Sequence, residues 1–184
     1  GVPLRLLLTA DEYFLQPVTL EECVPVFIQA TLAAEDKRFW SHDGVDWVGV
    51  ARAVKDMIAQ GRVVSGASTI TQQLVKNVEP RSRTVRTKIL ESLQAKKLEC
   101  QWSKTQILTA YLNRIDYGNL CRGAGTGARY YFDKSLSDFS PAEAAFLAGL
   151  PNAPARFNPR KNFDRAKGRQ LTILVRMHRN GWLD

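Results

Sequence analysis

The chain has 184 residues, of which 45% are hydrophobic and 24% are charged. This length and composition suit one globular domain with a buried core, and they exclude a linker, a tail or a disordered segment. Because 26 Lys and Arg residues outnumber 18 Asp and Glu residues, the formal charge is +8, which favours nucleic acid, phosphate-bearing ligands or anionic lipid head groups as partners.

The predicted elements begin with a short β-rich stretch and continue as helices. Residues 2–20 carry β-rich pieces around Leu4–Thr9, which indicate a small strand pair or an extended arm. Spacing and end signals then predict helices from the N-cap Asp46 to Gly61, over Arg83–Glu99, from a Ser103 capping box onward, from Ser140 to Gly149, and over Asp164–Arg179. The expected fold class is mainly α with a minor β element near the N-terminus. We expect one domain over residues 1–184, with an extended arm over 1–22 and a helical part over 23–184.

Two glycines and one alanine invite a dinucleotide-binding interpretation that the sequence around them does not support. Gly123, Gly125 and Ala128 satisfy a G-x-G-x-x-A string, but polar residues rather than a hydrophobic strand precede them. The segment is therefore predicted to be a Gly-rich turn.

The cysteine pattern argues against a disulfide framework or a zinc site. Cys23, Cys100 and Cys121 are far apart, odd in number and form no C-x-x-C pair. All three are expected to be small core residues. No apolar run approaches the roughly 18 to 20 residues that cross a bilayer. The chain opens at Gly1 rather than Met, which is compatible with a trimmed piece whose anchor or signal was removed.

The first candidate for acid–base chemistry is a carboxylate pair in an unusual setting. Glu35 and Asp36 follow the apolar stretch Val26–Ala34 and directly precede a basic, aromatic turn that includes His42. Apolar and basic neighbours move the pKa of a carboxylate in opposite directions, and a general acid or base needs such tuning. The alternative is that Glu35 only ends a helix and pairs with a nearby cation.

A second carboxylate lies in the predicted long helix. Lys88, Glu91, Ala95 and Leu98 are spaced 3, 4 and 3 apart and therefore share one stripe, whereas Ile89 and Leu93 point elsewhere. This stripe suits a cleft, although an ordinary solvated helix pair explains it equally well.

Polar and basic residues between these carboxylates suit an anionic, hydroxylated ligand. The cations are Lys76, Arg83, Arg86 and Lys88 around the turn at Pro80. Residues 65–77 are dense in side-chain donors and acceptors of the kind that bind sugars. A solvated charged face is the alternative.

Five segments in order resemble the motifs of peptidoglycan glycosyltransferases, the transglycosylase domain of class A penicillin-binding proteins and of monofunctional transglycosylases. Residues 35–44 resemble the E-D-x-x-F-x-x-H-x-G motif, and residues 66–77 resemble G-x-S-T-x-T-Q-Q-x-x-K-N. Residues 88–91, 104–113 and 142–151 are similar to the third, fourth and fifth motifs. The start of the chain, Pro3–Leu6 with Thr9–Glu12, is similar to the arm of the class A subgroup called penicillin-binding protein 1C.

The resemblance implies a lysozyme-like helical fold that polymerises lipid II into β-1,4-linked glycan, with inversion and release of undecaprenyl pyrophosphate. It places the enzyme at the outer, periplasmic face of the bacterial cytoplasmic membrane and implies moenomycin as an inhibitor. In the class A case, the natural protein continues past Asp184 into a transpeptidase domain. The partners implied are lipid II, the growing lipid-linked strand and the membrane surface.

The resemblance also implies roles for individual residues. Glu35 is the general base that takes the proton of the acceptor 4-hydroxyl, and Glu91 assists at the donor, near the pyrophosphate or a divalent metal such as Mg or Mn. The implied pyrophosphate-binding cations are Lys76, Arg83 and Lys88. The other implied substrate-binding residues are Asp36, His42, Ser68, Thr69, Gln72, Gln73 and Asn113.

Two alternatives come from other classes of function. A lysozyme-like hydrolase or lytic transglycosylase also uses acidic residues on a helical fold, but cleaving a glycan needs no pyrophosphate site. A nucleic-acid-binding module would explain the +8 charge, yet those cations suit an anionic membrane equally, so we expect no nucleic acid partner.

Membrane contact is itself a prediction from the pattern of Val45–Ile58. This amphipathic region, with Trp47 and Met57, suits a helix lying in the interface that admits a lipid tail. A plain core helix is at least as compatible with the pattern.

Overall fold

The computed structural model of the chain describes residues 7–8, 14–60, 68–82, 84–151 and 153–184. In these ranges the helices are α1 (Pro25–Glu35), α2 (Trp47–Gln60), α3 (Ile70–Val78), α4 (Val85–Gln101), α5 (Lys104–Arg114), α6 (Ala124–Phe132), α7 (Pro141–Gly149) and α8 (Phe163–Arg179). The strands are β1 (Leu7–Leu8), β2 (Phe14–Leu15) and β3 (Cys121–Arg122). The chain divides into two compact units, Gly1–Lys37 with Thr109–Asp184, and Arg38–Leu108.

Three helices, α1, α7 and α8, pack against one another in the first unit. Helix α1 begins with Pro25 in its first turn, where a missing N–H costs nothing, and it is apolar nearly all round. Phe27, Ala30 and Leu32 are buried, as expected for a helix surrounded by others. Helix α7 begins with a complete capping box between Ser140 and Glu143, which satisfies two backbone donors at its start.

The described part of the arm lies against the first unit. Strand β2 pairs antiparallel with β1 and parallel with β3. Beyond β2, the Gln16 N–H donates to the Thr126 hydroxyl over 2.7 Å. A Cβ on Gly125 would lie 2.5 Å from the Gln16 carbonyl oxygen, so only glycine allows the arm to approach α6 this closely.

In the second unit, α3 packs on α4. Helix α3 begins with a capping box between Thr69 and Gln72. The Thr69 hydroxyl also donates to the Gly44 carbonyl over 2.7 Å. Gly44 has a φ of +94°, and a Cβ there would lie 2.8 Å from the Ala95 carbonyl carbon. The turn that ends the first motif therefore packs directly on the backbone of α4.

A largely covered ion pair links three helices of this unit. The Glu99 carboxylate accepts from the Lys104 ammonium over 2.8 Å and from the Thr71 hydroxyl. The same ammonium lies 4.4 Å from the centroid of the Phe39 ring. One carboxylate thus ties together α3, α4 and the start of α5.

The mainly α fold class is confirmed, and the predicted helices appear as α2, α4, α5, α7 and α8 with ends within two residues of the expectation. The predicted β element near the N-terminus is present as β1, although Leu4–Leu6 and Thr9 lie outside the described residues. None of the helices in the described ranges is long and apolar enough to cross a membrane.

Two predictions are wrong. Cys23 and Cys121 are buried as expected, but Cys100 is exposed, because it lies on the solvent side of α4. The Gly-rich turn ends at Gly123, whose φ is +89°, and Gly125 and Ala128 lie inside α6. Packing of α6 against β2, β3 and α7 outweighs the low helix propensity of its glycines.

Candidate active site

Glu35 is the last residue of α1, and its side chain is almost completely buried, with 5% exposed. Helix α1 has no basic residue in its own last turn, so the partial negative charge at its end must be met from elsewhere. Helix α8 supplies the cations. The Arg169 guanidinium donates to the Ala34 carbonyl over 3.2 Å, and its Nη2 lies 4.0 Å from Glu35 Oε1.

Arg176, two turns further along α8, completes this arrangement. Its Nη1 lies 3.2 Å from the Ala33 carbonyl oxygen and 3.3 Å from that of Ala34. Two arginines therefore cap the carboxyl end of the helix that presents the first carboxylate. Glu35 therefore does end a helix beside a cation, as the alternative interpretation of the sequence expected. This position also allows the carboxylate to act as a base.

The negative charge of Glu35 contributes to raising the pKa values of two buried tyrosines, Tyr111 and Tyr117. Burial raises the pKa of Tyr111 well above its usual value, and the negative charge of Glu35 adds to the effect. Burial, followed by the charges of Cys23 and Glu35, raises the pKa of Tyr117. The Tyr111 hydroxyl has no hydrogen-bond partner among the described residues, so it is a neutral donor beside the carboxylate.

In the second unit, Lys88 on α4 is the centre of a polar cluster. Its ammonium lies 2.8 Å from the Ser68 hydroxyl, 3.3 Å from Gln72 Oε1 and 3.4 Å from Glu91 Oε2. The Lys88 side chain is 46% exposed, whereas that of Glu91 is only 11% exposed. The expected stripe is confirmed, because Glu91 and Ala95 form the buried face of α4 while Ile89 and Leu93 are exposed.

Gln72 holds this cluster together from the α3 side. Its Oε1 accepts from the Thr69 N–H and from Lys88, and its Nε2 donates to the Ser92 hydroxyl over 2.9 Å. The Ser92 hydroxyl in turn donates to the Lys88 carbonyl. Gln72 and Thr69 are buried, so their described contacts orient the lysine from within the protein.

The remaining predicted residues have varied surroundings. Asp36 is buried at the end of α1, and His42 accepts the Gly44 N–H at Nδ1 over 3.2 Å. Gln73 is half-buried and Lys76 is exposed in the last turn of α3. Arg83 lies outside the described residues.

Asn113 makes contacts of a structural kind. Its side-chain oxygen accepts the Val18 N–H over 2.8 Å, and its amide donates to the Val18 carbonyl over 2.7 Å and to the Thr109 carbonyl over 2.9 Å. The amide therefore continues the strand-like pairing of the arm. In these contacts it binds the chain itself.

The donors around Glu91 do not resemble a set of metal ligands. Across the described ranges, no three His, Cys, Asp or Glu side chains are grouped to hold a metal ion. The described partner of the Glu91 carboxylate is an ammonium, so Lys88 supplies the positive charge at this point.

Sequence reasoning missed Ser92, which contacts Gln72 and Lys88, and Arg169, whose guanidinium lies 4.0 Å from Glu35. It also missed Arg176, which donates to the carbonyl oxygens of Ala33 and Ala34, next to Glu35. The two arginines lie four residues before and three residues after the buried Ile173 on α8, and Arg169 is half-buried whereas Arg176 is exposed. An arginine on the same helix face as apolar residues needs an acceptor where it becomes buried, and that signal was available for Arg169 without the structure. The acceptor, the end of α1, is 135 residues away in sequence and was not predictable.

Comparisons with known proteins agree with the motif order. The family model described as Transglycosylase matches residues 6–178. Penicillin-binding protein 1C of Escherichia coli (strain K12) is 40% identical over 177 residues, which are 96% of this chain and 23% of that protein. Penicillin-binding protein 1A of Neisseria flavescens is 46% identical over 165 residues, 89% of this chain and 21% of that protein.

A solved structure supports the fold. The crystal structure of penicillin-binding protein 1A from Haemophilus influenzae matches with a TM-score of 0.55 and 24% identity, over 96% of this chain and 18% of that one. This likeness agrees with the mainly α, lysozyme-like fold class expected from the sequence. The chain spans about a fifth of the length of these relatives. With the family model matching nearly the whole sequence, the chain belongs to the transglycosylase domain family of class A penicillin-binding proteins.

Proposed function

We propose that the chain is a peptidoglycan glycosyltransferase that polymerises lipid II into β-1,4-linked glycan during bacterial cell wall synthesis. The observation that carries the proposal is the family match over residues 6–178. The positions of Glu35, Glu91 and Lys88 support it, since each is held by described contacts of its own. The lytic and nucleic-acid alternatives are not favoured by this family.

Glu35 serves as the general base on the acceptor side. It removes the proton of the acceptor 4-hydroxyl as that oxygen attacks the anomeric carbon of the donor. Burial of the side chain keeps water away from the carboxylate, and Arg169 and Arg176 hold the helix end that carries it. Asp36, the next residue, contributes a second buried carboxylate to substrate binding.

Lys88 stabilises the negative charge that develops on the leaving pyrophosphate. Breaking the bond to the anomeric carbon leaves negative charge on the pyrophosphate, and a cation placed there is worth more in the transition state than in the ground state. The exposed ammonium is oriented by Ser68, Gln72 and Glu91, so a phosphate oxygen meets it with little reorganisation. One charge-assisted bond of this kind contributes about 1.5 to 3 kcal/mol. We assign Lys76 and Arg83 to the same anion, and His42, Thr69 and Gln73 to substrate binding. The Asn113 amide donates to the Val18 and Thr109 carbonyls, so we assign it to holding the arm in place.

Polymerisation of labelled lipid II in detergent tests this assignment. Glu35→Gln and Glu91→Gln keep side-chain size and remove the charge, and the matched control is Glu21→Gln at the surface. We expect each active-site variant to lose roughly 10²- to 10⁴-fold in kcat, as for loss of an acid–base group, and moenomycin to block the parent chain. Normal polymer from Glu35→Gln would contradict the assignment of the base. Soluble fragments released from sacculi would instead support a lytic enzyme.

We further propose that α2 lies on the membrane surface from which lipid II is taken. Trp47, Ala51, Val54 and Ile58 are spaced 4, 3 and 4 apart, and all four are exposed. Trp47 is 63% and Ile58 77% exposed, far more than a core helix allows. The neighbouring Lys55 and Arg52 are also exposed, and cations beside an apolar strip are typical of interfacial helices.

Flotation with anionic vesicles tests the membrane proposal. Trp47→Glu places a charge in the strip and is expected to reduce vesicle binding severalfold. The control is Leu171→Glu on α8, which also replaces an exposed apolar residue. Equal loss in both variants, or no loss with Trp47→Glu, would contradict the assignment of α2.

A further inference from the structure

Arg169 lies outside the five motifs, yet its guanidinium is next to Glu35. We propose that Arg169 is a positioning residue that holds the Glu35 carboxylate in place and keeps it ionised, ready to accept the proton of the acceptor hydroxyl. This inference rests on the proposed function for the role of Glu35. It adds a residue from α8 to the machinery that the motifs describe.

One nitrogen of Arg169 serves both the helix end and the carboxylate. Nη2 donates to the Ala34 carbonyl over 3.2 Å and lies 4.0 Å from Glu35 Oε1. The two side chains are 14% and 5% exposed, so solvent screens their attraction little. Because the carbonyl anchors the guanidinium, its position does not depend on the charge of Glu35.

A glycine of the fifth motif makes room for the arginine. A Cβ on Gly149 would lie 2.9 Å from Arg169 Cγ and 3.2 Å from Ile173 Cδ1. Gly149 is the last residue of α7, and the Arg169 stem crosses it on the way to α1. The close packing of α7 on α8 therefore directs the guanidinium toward Glu35.

The other charged and titratable groups near Glu35 do not replace Arg169. Burial raises the pKa values of Tyr111 and Tyr117, so both phenols are neutral at physiological pH. Asp36 adds negative charge, as its effect on Tyr111 indicates. Arg176 donates its hydrogen bonds to the carbonyl oxygens of Ala33 and Ala34 rather than to the carboxylate. Burial lowers the pKa of Arg169 and the Glu35 carboxylate raises it, which marks the two as an interacting pair.

The experiment compares three variants in the lipid II assay between pH 4.5 and 9. Arg169→Gln keeps a donor for the Ala34 carbonyl but removes the charge, and Arg169→Lys keeps the charge. Arg176→Gln is the matched control, because it weakens the same helix cap without touching the carboxylate. We expect the acid limb of kcat/KM to move up by about 1 pH unit in Arg169→Gln, as for loss of an opposite charge within 4 to 6 Å. In Arg169→Lys we expect the acid limb at the same pH as in the parent chain, and in Arg176→Gln we expect it within a few tenths of a pH unit of that value.

A limb unchanged in Arg169→Gln, or moved equally in Arg176→Gln, would overturn the inference. If Arg169→Gln does not fold, Arg169→Lys takes its place as the test. Because the lysine keeps the positive charge, a shifted acid limb of the pH profile in this variant would also overturn the inference. Melting temperatures of Glu35→Gln, Arg169→Gln and the double variant test the pair without any assay. Non-additive shifts are expected, and additive shifts would refute the contact. If the parent chain is inactive, only the proposed function is contradicted. The melting temperatures of the two single variants and the double variant would still test the contact between Arg169 and Glu35.

Discussion

Gly44 shows how one residue without a side chain supports the second unit. Its φ of +94° and its approach to the Ala95 backbone exclude any Cβ, so the turn that carries His42 depends on glycine at this position. Ala95 is fully buried directly after Glu91 on the same stripe. The first and third motifs are therefore joined by a backbone contact.

We predict that Gly44→Ala lowers the free energy of unfolding by about 2 to 4 kcal/mol, the sum of left-handed backbone strain and overpacking. Gly168→Ala is the matched control, because it lies in α8 with nothing within 4 Å of the added Cβ. There the change is expected to stabilise by about 0.5 to 1 kcal/mol. Urea unfolding followed by circular dichroism measures both, and equal effects would refute the packing argument.

At the level of single elements, N-terminal capping residues account for where several helices begin, including α3, α4, α5 and α7. The predicted Ser103 box is present, with the Ser103 N–H donating to Gln106 over 2.8 Å. Ser140 and Glu143 form the same motif at α7. These motifs act within four residues, so the sequence reveals them directly. Helix α6 has no such cap, and Gly123 at its N-cap position makes no side-chain bond; only its packing explains it.

Helix α7 leads to a prediction about pH. The Lys134 ammonium, followed by bonds from Ser140, lowers the pKa of Glu143 to about 2 from an ordinary 4.5. A lowered folded-state pKa means that the charge stabilises the fold above pH 4.5 and that this contribution is lost as the pH falls toward 2. Glu143→Gln keeps the capping geometry, so it should cost roughly 0.5 to 1 kcal/mol at pH 7 and almost nothing at pH 2.

Melting temperatures at pH 7, 4 and 2 test this prediction. Asp133→Asn is the control, because Asp133 is 99% exposed and 3.9 Å from Arg129, and we expect no comparable pH-dependent difference. A constant difference between wild type and Glu143→Gln at all three pH values would argue against the ion pair as the cause.

At the scale of the whole molecule, the +8 charge coexists with large exposed apolar side chains. In the second unit these include Trp40, Trp47, Ile58, Val85 and Ile89. Exposed apolar side chains that lie together on one face mark an interaction surface, as those of α2 do. Charge and apolar surface together favour an anionic lipid surface as the partner over nucleic acid, which would need the charge alone.

We predict that binding to anionic vesicles weakens as salt rises from 50 to 500 mM but does not disappear. Each cation near such a surface contributes about 1 kcal/mol, and salt screens that contribution, whereas apolar insertion persists. Co-sedimentation across the salt series measures the effect, with zwitterionic vesicles as the reference. Complete release at high salt would show that charge alone drives binding.

Sequence signals were enough to predict where α2, α4, α5, α7 and α8 begin to within two residues, and to find the five motifs in order and hence the family. Such signals are local, because caps, periodicity and motif spacing depend on residues near one another along the chain. The long-range contacts needed the folded chain: Arg169 lies next to Glu35, and Asn113 pairs with Val18. The exposure of the apolar strip of α2 was likewise known only from the structure. Asn113 and Val18 are 95 positions apart, and Arg169 is 135 positions from the Ala34 carbonyl beside Glu35. Which faces pack together depends on the volumes of many side chains at once.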